Sequence, residues 1–118
     1  MHNVSNLYAW RRGLNSNTMR TVKIQDKEYK YKYSLRSVFV FEEIAGKIFS
    51  IKTTMEAYIF YYAMLEANNE DFPMTFKEFV DACDDDSKIA QEMQEYLNEY
   101  FTKKASIKNN QEDDSKKN

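Results

Sequence analysis

The chain has two glycines, one proline, one cysteine and one histidine in 118 residues, and each shortage removes a class of protein from consideration. With so little glycine there is no material for a phosphate-cradling loop, and no GxGxxG or GxxxxGK pattern occurs. One cysteine excludes an internal disulfide, and the histidine, His2, lies in the first residues, so no Ser/His or Cys/His pair is built around it. The longest apolar run, Ala57 to Leu65, is far short of the about 20 residues that cross a bilayer, and Met1 to Leu14 has no apolar stretch of the secretory kind. A protein of a reducing cytoplasm, outside the membrane and without a bound cofactor or metal, is the natural expectation.

What is present favours helices around one core. Hydrophobic residues make up 42% and charged residues 31%, the balance of a globular domain with a polar fringe. The charge is unevenly placed: residues 1–52 carry a net +6 and residues 53–118 a net −8, an asymmetry able to orient a partner.

The segment Thr53 to Asn68, TTMEAYIFYYAMLEAN, is the one around which the rest is arranged. A helix apolar on every side has to be surrounded. Thr53 and Glu56 form a capping box at its start, and Asn68 and Asn69 end it. Before it, Arg20 to Ser34 alternates Val22 and Ile24, turns at Asp26 and Lys27, then alternates Tyr29, Tyr31 and Tyr33 against Lys30 and Lys32. Period-two alternation on both sides of a polar turn predicts a β-hairpin with tyrosines inward and lysines outward. A nucleic-acid ribbon would need aromatic and cationic residues on one face, which this alternation separates.

Ser34 is the N-cap expected for a helix over 35–45, with Leu35, Val38, Phe39 and Glu42 on one face, Phe41, Ile44 and Ala45 beside it, and Gly46 as its left-handed stop. Residues 48–52 form a short connector, extended in character. Thr75 and Glu78 repeat the capping box ahead of a helix over 76–83. Asp84 to Asp86 separate it from a last helix over 87–104, striped by Ile89, Met93, Tyr96, Leu97, Tyr100 and Phe101. The expected architecture is mainly α with a small N-terminal β-hairpin: an α+β domain of about four helices packed around a central aromatic helix, spanning 19–104. Residues 1–18 read as a disordered or loosely attached leader and 105–118 as a disordered charged tail.

Catalytic chemistry finds no foothold in these patterns. Cys83 falls on an apolar stripe beside acidic neighbours, which disfavours a thiolate. Asp81 and Asp84 to Asp86 lack the spaced oxygens, glycine and closing glutamate of a calcium loop, and read as capping and solvated charge. Glu42 and Glu43 diverge around their helix. The candidate functional surface is the aromatic one: either part of the surface formed by Tyr58, Tyr61, Tyr62 and Met64 stays uncovered and receives a client helix or another copy of the chain, or all four are ordinary core.

Taken in order, the hairpin with KEYKYKYS, the helix LRSVFVFEEIAGK, the tyrosine-rich middle helix and FKEFVDACDDD leading into an amphipathic helix make Met19 to Lys104 resemble the tail assembly chaperones of long-tailed bacteriophages and related prophage proteins. The resemblance implies a small, mainly helical, non-enzymatic protein of the bacterial cytoplasm that coats the tape measure protein until the tail tube forms around it. A phage structural component, such as a tail completion or connector protein, is the second expectation. A small nucleic-acid-binding regulator using the basic N-terminal half is the third.

Overall fold

In the computed structural model the backbone is described for residues 19–117 and the side chains for residues 19–104. The leader, with His2, Trp10, Arg11 and Arg12, lies outside the described residues. Strands β1 (Arg20–Ile24) and β2 (Lys27–Tyr31) form an antiparallel hairpin. Four helices follow: α1 (Leu35–Ala45), α2 (Thr54–Asn68), α3 (Phe76–Asp85) and α4 (Ser87–Lys117). The α+β architecture expected from the sequence is the one observed.

One detail of the hairpin differs from expectation. The turn is Gln25–Asp26 rather than Asp26–Lys27, and both residues take positive φ, 52° and 69°. A two-residue loop of this handedness matches the twist of the flanking strands, and Ile24 then pairs with Lys27, Val22 with Tyr29 and Arg20 with Tyr31. This register keeps Val22, Ile24, Tyr29 and Tyr31 on the helical side, with Lys23 and Lys30 outward. Tyr31 is buried with its ring edge-on to Tyr96 at 5.3 Å.

The helix ends follow the sequence closely because their signals are local. Ser34 Oγ accepts the Ser37 N–H at 3.1 Å while Ser37 Oγ accepts the Ser34 N–H at 2.9 Å, which leaves the fully buried Ser37 hydroxyl satisfied. Thr53 with Glu56 and Thr75 with Glu78 form the two expected capping boxes. Gly46 takes φ 71° and donates its N–H to the Glu42 carbonyl at 2.9 Å.

At the far end of α2 the asparagines do more than stop a helix. Asn69 accepts the Lys30 N–H on Oδ1 at 3.0 Å and donates Nδ2 to the Lys30 carbonyl at 2.7 Å, while Asn68 Nδ2 donates to the Lys32 carbonyl at 3.2 Å. The same amides also donate to the Met64 and Leu65 carbonyls near the end of α2, so they bind β2 and helix together.

α2 is enclosed, as its all-round apolarity requires: Ile59 to Leu65 are all buried, with α1, β2, α3 and α4 around them. α1 is different. The face expected to pack, Leu35 with Phe39, is open, 67% and 58% exposed; the face that packs carries Ser37 and Phe41, with Val38 and Ala45 alongside. The reason is aromatic packing: Phe41 sits edge-on to Phe49 at 5.1 Å and within 6.1 Å of Phe60, which turns Leu35 and Phe39 outward. α4 buries the expected stripe from Ile89 to Tyr100 and leaves Phe101 38% exposed. It continues past Lys104 to Lys117, so residues 105–117, expected as a disordered tail, extend the helix; no glycine or proline interrupts them.

Candidate apolar groove

The connector between α1 and α2 sets up the site. Ile48 is exposed, whereas Phe49 and Ile51 pack onto the core, the alternation of an extended segment. Glu42 on α1 holds this geometry by accepting the Phe49 N–H at 2.9 Å. Phe49 then reaches Phe60 at 4.8 Å, Phe41 at 5.1 Å and Tyr33 at 6.1 Å. Tyr33, just beyond β2, stacks on Tyr100 at 4.4 Å and donates its N–H to the Tyr96 hydroxyl at 2.7 Å, which ties the hairpin exit to α4.

Between this connector, the first half of α2 and the middle of α4 lies a groove of about 460 Å³, lined by Phe49, Ile51, Ala57, Tyr61, Leu97 and Phe101, with Gln94 and Asn98 on its polar side. Among the described residues no charged side chain lines it. Its chemistry is therefore apolar contact plus two side-chain amides at one margin, with nothing to hold an ion, a phosphate or a reacting group.

The four residues expected to form the binding surface do not form one exposed surface: Tyr58 and Tyr61 meet, while Tyr62 and Met64 are taken into the core. Met64 is completely enclosed. Tyr62 is buried among Phe72, Phe76 and Phe79 and donates its hydroxyl to the Met74 carbonyl at 2.7 Å; burial, then the nearby Glu66, pushes it up to about 12. Tyr61 is buried as well but presents an edge to the groove, and burial raises its hydroxyl above the ordinary value. Tyr58 is half-buried, 5.3 Å from Tyr61. Of the four, Tyr61 lines the groove. The lining residues Phe49, Ile51, Leu97 and Phe101 come from segments far apart in sequence. The local signs of them were the extended character of residues 48–52 and the apolar stripe of the last helix, which holds Leu97 and Phe101; nothing local joined the two.

Cys83 is buried, and burial followed by the Asp84 and Asp86 carboxylates pushes its thiol up to about 11, so it is protonated and unreactive at neutral pH. Asp86 caps α4 through Oδ1, which accepts the Lys88 N–H at 3.1 Å. Among the described residues no group of three or more metal-ligating side chains is gathered, and no helix is long and apolar enough to cross a membrane. Comparison of the chain with protein-family models, with curated proteins and with solved structures finds no match.

Proposed function

We propose that this protein is a non-enzymatic holding protein that receives an apolar helix of a client in the groove between the α1–α2 connector, α2 and α4. The client is the tape measure protein of a phage or prophage tail, as the resemblance to tail assembly chaperones implies. The observation that carries the reading is the groove itself: a cleft of about 460 Å³ walled by aromatic and aliphatic side chains, with no charged side chain among the described residues that line it. An amphipathic helix laid in such a cleft engages it through anchors at i, i+3 or i+4 and i+7. Each large apolar side chain fully removed from water contributes roughly 1.5–3 kcal/mol, so two or three anchors suffice for a reversible complex.

Co-expression with the tape measure protein tests this. The two proteins copurify, and Asn98→Lys, which places a charge at the margin of the groove without touching the core, abolishes copurification while the circular dichroism spectrum is unchanged. A complex that survives Asn98→Lys intact contradicts the reading.

A structural role in the finished tail is the second reading, favoured by the bare Leu35 and Phe39 face of α1, which suits a lasting interface. Mass spectrometry of purified particles separates the two, since a chaperone is absent from them and a structural component is present in fixed number.

A further inference from the structure

The hairpin has two outer sides, and they are treated differently. Beside β2, Asn69 takes the place of a neighbouring strand by bonding both the N–H and the C=O of Lys30. Since those groups point away from β1, Lys30 and Thr21 form a non-hydrogen-bonded pair, and the antiparallel alternation makes Glu28 and Lys23 another. The N–H and C=O groups of Thr21 and Lys23 therefore face outward along the far side of β1. Both residues are exposed, and among the described residues nothing bonds their main chain. An open edge of this kind is a template for another strand.

Alongside that edge runs a cleft of about 500 Å³, bounded by β1 and the turn on one side and by the junction of α3 and α4 on the other. The buried residues Ala82 and Ile89 lie at its base, and the exposed Asp85, Asp86 and Glu92 along its rim. With Asp26, the acidic lining residues number four against two lysines, Lys23 and Lys88.

We propose that this cleft takes an extended, cationic peptide segment of a partner protein, which adds to the outer side of β1 as a third strand. The main-chain groups of Thr21 and Lys23 supply the hydrogen bonds. Alternate side chains of the added strand fall towards Ile89 and Ala82 and call for small or branched apolar residues, while lysine or arginine between them meets Asp85, Asp86 and Glu92. Charge decides against a second copy pairing edge to edge, because it brings its own Asp85, Asp86 and Glu92 towards the same rim. This site is separate from the uncharged groove on the connector side and takes a ligand of opposite character: extended and basic rather than helical and apolar.

The probe is an acetylated, fluorescein-labelled hexapeptide of alternating lysine and valine, titrated into the full chain and followed by anisotropy. At saturation, amide exchange at Thr21 and Lys23 slows at least tenfold. Lys23→Pro, which removes an outward N–H that an edge strand can spare, weakens binding at least tenfold, as does the pair Asp85→Lys and Glu92→Lys. The double reversal keeps the test open if Lys23→Pro disturbs the hairpin. Unchanged exchange at both amides under saturation overturns the proposal. So does equal binding of a hexapeptide with glutamate in place of lysine, or unchanged binding by the charge-reversed variant. Protection of the two amides without peptide overturns it too: independent of protein concentration it assigns the edge to the chain's own residues 1–18, and growing with concentration it assigns the edge to a second copy.

Discussion

α1 and α2 are neighbouring helices of apolar character, and they end in opposite surroundings. α2 has α1, β2, α3 and α4 around it, and its residues Phe60, Met64 and Leu65 are wholly enclosed. α1 packs mainly on α2, buries Ser37 and Phe41, and leaves Leu35, Phe39 and, less fully, Ile44 in water. The difference lies in the number of neighbours rather than in side-chain chemistry. Phe60 on α2 is a keystone of the domain, and Phe39 on α1 is surface available to something else.

The sharpest way to break that contrast is to delete one ring from each helix. Phe60→Ala removes a ring in contact with Tyr33, Phe41 and Phe49, and urea denaturation is expected to show a loss of about 3–5 kcal/mol. Phe39→Ala is expected to stay within about 0.5 kcal/mol of the parent. Equal losses at the two positions would mean that α1 is covered in solution.

The next largest effect sharpens the account of how α2 is held. Asn69→Ala removes the amide that bonds both main-chain groups of Lys30 and the Leu65 carbonyl, and should cost about 1–2 kcal/mol, with faster amide exchange at Lys30. A smaller change belongs to α1. Gly46→Ala places a Cβ on a residue at φ 71°, where nothing lies within 4 Å, so the penalty is conformational alone, about 1 kcal/mol by thermal denaturation.

The smallest effect is at the start of α2. The Lys47 ammonium, then the backbone N–H groups of Lys52 and Thr53, hold the Glu56 carboxyl at about 2, below its ordinary value of 4.5. A carboxyl with a lowered folded value favours the folded state fully above about 4.5 and loses that contribution as the pH falls towards 2. Glu56→Gln should therefore flatten the stability profile across that acid range, and added salt should reduce the difference between the two proteins.

What was legible in the sequence was local. Ser34, Thr53, Thr75 and Gly46 stand where their caps form, because a cap depends on a few consecutive residues. The α4 stripe was readable because its period runs unbroken from Ile89 to Tyr100. The packed face of α1 was not, since apolar residues occur around much of that helix and the choice between Leu35 and Phe41 rests with Phe49 and Phe60, outside it. The turn was misplaced by one residue because neither Gln25 nor Asp26 is a glycine that would mark positive φ. The groove was hidden for the same reason as the α1 face: Leu97 and Phe101 share the α4 stripe, but no local pattern joins them to Ile51 or Tyr61, and Tyr62 and Met64, equally apolar in sequence, are consumed by the core.

The most direct test of the central claim maps the client onto these two surfaces at once. Methyl resonances of the full chain are followed by NMR as a helical peptide from the tape measure protein is added. Shifts are expected at Ile51, Ala57 and Leu97, with Leu35 and Ile44 unmoved. Shifts confined to Leu35 and Ile44, with the groove methyls silent, would contradict it.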